Sequence, residues 1–197
     1  SGVLTTRPGL KAFVDPTDTD TGYQPVTSGS PQRIIGLREH GDFLVAVREN
    51  RRVFTIDEDG TATDASDQLL DGSEDPTFIE LDNGRLLICG GGSPLVLANY
   101  NRAVKFGEGW VPNASHAAIV DRRLLLNNLG EDWIYYSEAI RNLDPVSGLW
   151  VPKTPQSRFT LAGGKDEIAG SGYFRAGTRS DTVLALHTLQ NNLYVFG

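Results

Sequence analysis

The chain contains no methionine, one cysteine, three histidines and no apolar run approaching membrane-spanning length. Each scarcity removes a class of answers. A lone cysteine, Cys89, cannot close an internal disulfide, and its place in Leu86-Leu87-Ile88-Cys89 predicts a small core residue rather than a nucleophile. A reducing compartment fits that usage. A spanning helix needs about 18 or more consecutive apolar residues, and none is present. The opening Ser1-Gly2-Val3-Leu4-Thr5-Thr6 lacks the charged and apolar regions of a signal peptide. The missing methionine leads to the expectation that the chain begins after processing or is a piece of something longer.

Positive charge is also scarce. Lys and Arg number 18 against 25 Asp and Glu, for a net charge of −7 and a pI near 4.9. Nucleic acids and anionic membranes are held by clustered Lys and Arg. Here the basic residues are singles and doublets, and Arg51-Arg52 and Arg122-Arg123 read as turn residues. Neither specific nucleic-acid binding nor membrane binding is expected. The acidic stretch from Asp57 to Asp75 has no aromatic residue and reads as a solvated loop.

Catalytic patterns are missing as well. His40 reads as a turn residue, and His116 and His187 lie at or inside strands, without metal-ligand spacing. Gly170-Ser171-Gly172 lacks the G-x-S-x-G spacing of a nucleophile elbow. Gly90-Gly91-Gly92-Ser93-Pro94 has no phosphate-loop Lys and reads as a hairpin connection. Asp57-Glu58-Asp59-Gly60 offers oxygen ligands but no later bidentate Glu, so an Asp-Gly hairpin turn is the simpler reading. The reading is therefore of a protein with no catalytic, metal or cofactor-binding residues and no cofactor. Paired glycosidase carboxylates come from distant parts of a fold and leave no local spacing, so a propeller glycosidase stays open as an alternative.

What the chain does have is punctuation and repetition. Its 22 glycines and 10 prolines are scattered, as suits many turns between short strands. An apolar strand, a tight polar turn and a second apolar strand recur four times. The first two units are 34–37 with 43–47, around His40-Gly41-Asp42, and 78–81 with 86–89, around Asp82-Asn83-Gly84. The third is 117–120 with 124–126, around Asp121-Arg122. The fourth is 183–186 with 193–196, around Gln190-Asn191-Asn192. Asn-Gly between apolar runs is a strong hairpin signal, and Asn83-Gly84 is expected to form a type I′ turn. Third strands are predicted at 53–56, 95–98 and 133–136, an outer strand at Arg158-Phe159-Thr160-Leu161, and another at Gly172-Tyr173-Phe174. Val45, Leu87 and Leu125 are expected core residues of successive units.

Leu44, Leu86 and Leu124 open the second strands roughly 40 residues apart, the blade period of a propeller of four-stranded sheets. The repeat favours a β-propeller over the alternative, a β-sandwich. Residues 1–197 read as one all-β, propeller-type domain. The fourth unit stops at Phe196-Gly197 after two strands, so the expectation is of an incomplete propeller, truncated at its C-terminal end. Either residues follow in the native protein or a partner covers the open edge.

Three stretches resemble the packaged-DNA stabilisation proteins, the propeller-forming tail accessory factors of short-tailed bacteriophages. They are Thr6-Arg7-Pro8-Gly9-Leu10; Asp132-Trp133-Ile134-Tyr135-Tyr136-Ser137-Glu138, followed by a loop with Pro145 and Trp150; and Asp181-Thr182-Val183-Leu184-Ala185-Leu186 with Asn192-Leu193-Tyr194-Val195-Phe196-Gly197. Their order covers nearly the whole chain, although family members run past the Phe-Gly point. The resemblance implies a structural tail component with no catalytic residues. It implies a sixfold ring beneath the portal and head–tail adaptor, extending the tail tube and helping to retain packaged DNA. Tailspike, fibre or plug proteins would be further partners. The location would be the virion tail, with the host cytoplasm during assembly. Loop residues near Trp150 and Phe174 are expected at interfaces. A cellular propeller acting as a binding module is the alternative.

Overall fold

The structure, a computed structural model, describes residues 33–82, 85–98, 101–107, 109–139, 141–143, 146–147, 150–152, 158–164, 169–176, 182–189 and 192–197; for 82, 141–143 and 150–152 the backbone alone is described. The described residues contain strands and no helix. The first four-stranded sheet runs β1 (Ile34–His40), β2 (Phe43–Arg48), β3 (Val53–Ile56), β4 (Ala62–Asp64). The second runs β5 (Thr77–Asp82), β6 (Arg85–Cys89), β7 (Leu95–Ala98), β8 (Arg102–Lys105). The third orders β9 (Ala117–Val120), β10 (Arg123–Asn127) and β11 (Trp133–Ala139) in the same way. Two-stranded β12 (Arg141–Leu143) and β13 (Trp150–Pro152) intervene before β14 (Gly172–Arg175) completes that sheet. The hairpin β15 (Ala185–Leu189), β16 (Asn192–Phe196) ends the chain. The protein is all-β, and every ladder is antiparallel.

The sheets lie face to face in chain order. Side chains alternate across a strand, so each second strand serves two neighbours. On β6, Leu86 and Ile88 join Val45, Val47 and Val53 of the first sheet, while Leu87 and Cys89 join Leu124, Leu126 and Tyr135 of the third. On β10, Leu125 turns the other way and packs with Ile134 against Leu186, with Leu193 and Val195 beside it. This explains the unbroken apolar runs, since a strand covered on both faces has no solvent side. One rule covers the second, third and fourth units: Leu86, Leu124 and Leu193 each face the sheet before their own. The first strands β1, β5, β9 and β15 touch in succession. First strands together and later strands fanning outward is the arrangement of propeller blades. The described residues form an open arc of three blades and one hairpin.

A repeated backbone bond fixes each blade to the next. The chain entering each new blade buries one apolar residue, whose N–H donates to the loop between strands two and three of the blade behind. The three bonds are Leu70 N–H to the Arg51 carbonyl at 2.9 Å, Ala114 to Gly92 at 3.0 Å and Val183 to Glu131 at 3.1 Å. All three residues are buried. Gly90 is required beside the first latch, because a Cβ there would lie 2.8 Å from the Leu70 side chain. Asn127, fully buried, adds to the third. Its side-chain oxygen accepts from Ser115 N–H (3.1 Å) and His116 N–H (2.9 Å), and its amide donates to Ser115 Oγ (2.8 Å) and the Val183 carbonyl (3.2 Å).

The turn at Asp121-Arg122 carries φ of +46° and +62°, so this two-residue hairpin is the type I′ kind, built without glycine. Asn83-Gly84, where that turn type is expected, lies outside the described residues. Several sequence expectations need correction. Arg158-Phe159-Thr160-Leu161 is not a strand; Phe159 and Thr160 are buried in a non-sheet segment, and Gly172–Arg175 takes the outer position. His40 is the last residue of β1, only 2% exposed, with Nδ1 3.2 Å from Glu80 Oε1 on the next blade. The 57–75 stretch is more than a solvated loop, since it contains β4 and buries Ala65 and Leu70. The fourth unit's first strand starts at Ala185, because Val183 is spent on the latch.

Val45 and Leu87 are fully buried and Leu125 nearly so, as expected of the three core positions. Leu87→Ala should cost about 2–5 kcal/mol in urea unfolding, and Leu87→Asp should abolish cooperative folding by burying an unpaired charge. Asp121→Gly should raise stability by up to about 1 kcal/mol, because left-handed backbone costs an L-residue about that much. A lowered urea midpoint would contradict the turn geometry.

Candidate functional site

Two features of the described surface could engage a partner: a cleft beside the third blade and the outer faces of the two terminal sheets. The cleft follows from strand alternation. Trp133 and Tyr135 share one face of β11 and, across the ladder, meet Arg175 and Tyr173 of β14. Cross-strand neighbours touch, so the guanidinium of Arg175 lies 4.8 Å from the centre of the Trp133 ring, and Tyr173 packs 5.9 Å from Tyr135. Trp110 meets Tyr135 edge-on at 5.0 Å, and Trp133 meets Tyr173 edge-on at 5.1 Å. Trp133 and Tyr135 of this row line an open cleft of about 440 Å³ together with Glu131, Asp132, Leu161, Ala162 and Thr182.

The rim charges are engaged. Asp132 pairs with Arg175 at 3.5 Å, and Glu131 Oε2 accepts from the Tyr135 hydroxyl at 3.2 Å. Burial, with Glu131 beside it, pushes the Tyr135 phenol up to about 12, so it stays a donor at any ordinary pH. The result is a half-apolar wall that can pack against a partner. Phe174, expected at an interface, is 39% exposed on β14. Trp150 pairs with Leu143 through the backbone of β13; its side chain lies outside the described residues. The sequence reading missed the aromatic row. The alternation in Trp133-Ile134-Tyr135 was a usable signal, but its partner strand lies some forty residues on.

The terminal faces come from the same alternation. On the first sheet, Leu37, Ala46 and Phe54 line up across the ladders on the face turned away from the second sheet, with Leu44 and Ile56 alongside. Leu37 is 55% exposed, and the Arg48 guanidinium covers the Phe54 ring at 4.2 Å. On the last hairpin, Leu186, Thr188, Leu193 and Val195 turn toward the third blade. Leu189, Tyr194 and Phe196 turn outward and are exposed.

The other candidate residues have structural partners. The Asp57 carboxylate accepts from Thr61 N–H at 2.8 Å and Gly60 has φ +82°, so 57–60 is the Asp-Gly turn between β3 and β4. Gly91 N–H donates to the Ala114 carbonyl at 2.8 Å, making the glycine run a seat for the next blade's entry segment. Ser171 Oγ shares a 2.7 Å hydrogen bond with Thr160 Oγ1. His116 lies just before β9 and His187 inside β15. Among the described residues no group of three or more His, Cys, Asp or Glu side chains is placed to hold a metal ion. No protein family, curated protein or solved structure matches the chain.

Two measurements probe these environments. Burial pushes the Cys89 thiol from 9.0 to about 12, so the native protein should resist a thiol-modifying reagent at pH 8 and react fully in urea. Fast native labelling would show that the third blade does not close over the Cys89 face of β6. Burial also lowers the His116 imidazole below its usual 6.5, with Glu74 pulling the other way. A depressed folded value means stability is intact above pH 6.5 and is lost as pH falls through the folded value. His116→Asn should therefore lose less stability than wild type between pH 7.5 and 5, read from urea midpoints.

Proposed function

We propose that the protein is a structural component of a short-tailed phage tail, part of the tube or hub below the portal and adaptor, where it helps to retain packaged DNA. The observation that carries this reading is an arc of blades with apolar side chains exposed at both ends, Leu37 on the first sheet and Leu189, Tyr194 and Phe196 on the hairpin. Such faces suit a part that works by assembly with other copies and other tail proteins. The resemblance of 6–10, 132–138 and 181–197 to the packaged-DNA stabilisation proteins supplies the setting. Of these, 132–138 lie in the third blade and its approach, and 182–197 hold the terminal hairpin.

Charge is compatible with the role. DNA leaving along an acidic wall meets few cations to displace its counterions, so it passes without sticking. Basic side chains of the described surface are already paired with acids: Arg52 with Asp64, Arg102 with Asp67, Arg158 with Glu138 and Arg175 with Asp132. On this reading the cleft at Trp133 and the exposed Phe174 are docking points for tail proteins rather than a place for chemistry.

Purified protein should fail to retard duplex DNA at roughly 150 mM salt. Cryo-electron microscopy should find it in rings on portal–adaptor particles. Tight, salt-sensitive DNA binding, or a protein that ignores every portal and adaptor preparation, would end this reading.

A further inference from the structure

We propose that a cleft between the first and second blades takes an acidic, aliphatic segment of a partner protein, with its carboxylate held by Arg51 and Lys105. This cleft is separate from the two surface features described above, and the inference stands independently of the tail reading.

The cleft is open, encloses about 480 Å³, and forms where the loop after β2 meets the chain entering the second blade. Asn50 and Arg51 come from that loop, residues 68–72 from the entry segment, and Ser93, Leu95 and Lys105 from the second blade. Its size lies within the roughly 300–1,000 Å³ of ligand sites.

Arg51 is the first sign of use. Each loop between the second and third strands of a blade carries a left-handed residue, and in two of them it is glycine: Gly91 at φ +88° and Gly130 at +84°. The first loop places Arg51 there, at +64°. An L-residue is strained in that region, and such strain persists where the side chain has a task. Part of the task is visible. Arg51 Nη1 donates to the Glu74 carbonyl at 2.7 Å, which fixes the guanidinium beside the cleft. A guanidinium carries five N–H donors, and this bond uses one.

Charge identifies the occupant. Among the described residues no carboxylate pairs with Arg51 or Lys105, although Arg52, Arg102, Arg158 and Arg175 each have an acid partner. Asn50 spends its side-chain oxygen on Arg52 N–H at 3.3 Å, which leaves its amide NH2 as a donor. Asp71 is the one acid among the lining residues, and its Oδ1 accepts from Gly72 N–H at 2.9 Å. Two cations against one acid make a locally positive spot on a protein of net charge −7. A carboxylate is the acceptor that an arginine fork fits best. Leu69, 56% exposed, and Leu95 line the same cleft, so aliphatic carbon next to that carboxylate has a surface to pack on. A DNA phosphate would engage the cations and leave Leu69 bare, and DNA affinity is built from more phosphate contacts than two cations supply.

Amide NMR of the isotope-labelled full chain tests this with capped hexapeptides that set Asp or Glu beside Leu, Ile or Phe in either order. At least one should shift the amides of Arg51, Leu69, Gly72 and Lys105 to saturation. Raising salt from about 50 to about 500 mM should weaken it. Exchanging that peptide's acid for Asn or Gln should weaken binding at least fivefold. Arg51→Gly keeps the left-handed backbone and the carbonyl that latches Leu70. It and Lys105→Gln should each weaken binding at least fivefold, with urea midpoints near wild type. If Arg51→Gly folds poorly, Arg51→Asn, which also tolerates the left-handed region, takes its place. The proposal is overturned if no peptide saturates, if neutral peptides bind equally well, if Lys105→Gln binds like wild type, or if the shifts avoid the cleft. Inorganic phosphate or a duplex oligonucleotide giving the same shifts at lower concentration than any peptide would also overturn it, by making this a phosphate site. Failure to join portal and adaptor particles would remove the tail reading and leave this result unchanged.

Discussion

A strand covered on both faces leaves no side-chain position where a charge can reach water, and β6 from Leu86 to Cys89 and β10 from Leu124 to Asn127 are covered in this way. Every other feature of the fold accommodates that fact. Leu86, Leu87, Ile88 and Cys89 are all buried, so the second sheet must have a neighbour on each side. The third sheet inherits the same demand through Leu124, Leu125 and Leu126. Burial of a leucine of this kind contributes about 1.5–3 kcal/mol, and each interface collects several such residues from both partners. No single blade can hide its own apolar surface. The stack, rather than the blade, is the unit that folds.

Non-directional burial does not set the angle between sheets; the latches supply direction. Each buried N–H at Leu70, Ala114 and Val183 would be costly to leave unpaired, about 1–3 kcal/mol per group. Each finds its acceptor in the same kind of loop on the blade behind. The entry segment is thereby pinned at one end of the blade while its first strand runs beside the preceding first strand. Repeating one pinned step gives one repeated rotation, which turns a pile of sheets into an arc. Polar side chains add to these steps: Arg51 donates to the Glu74 carbonyl and His40 meets Glu80 across the first, while Asn127 donates to the Val183 carbonyl and the Thr188 hydroxyl to the Ile119 carbonyl across the third.

Legibility in the sequence followed the same division. Strands two and three of each blade, and most of the first strands, were readable because apolar continuity is local. Val45, Leu87 and Leu125 could be named as core from their runs alone. The fourth strands β4 and β8 escaped notice because they are short outer strands: Ala62–Asp64 has no buried residue, and Arg102–Lys105 buries Ala103 alone. The outer strand of the third blade was misplaced for a related reason. Phe159 is buried like a strand residue but packs outside the ladder, whereas Gly172–Arg175, with one buried glycine and three exposed residues, carries the backbone bonds. The latches were invisible because a backbone N–H has no sequence signature. The aromatic row depended on a pairing of β11 with β14 across a long insertion.

A stack held by nearest-neighbour interfaces has a stability that varies along its length. The second and third blades each draw on two interfaces, whereas the first blade and the hairpin draw on one among the described residues, and the hairpin brings only two strands to it. In such quasi-one-dimensional assemblies each unit's stability is its own plus that of its interfaces. Opening should therefore begin at the hairpin and propagate inward, with β6 among the last strands to be exposed.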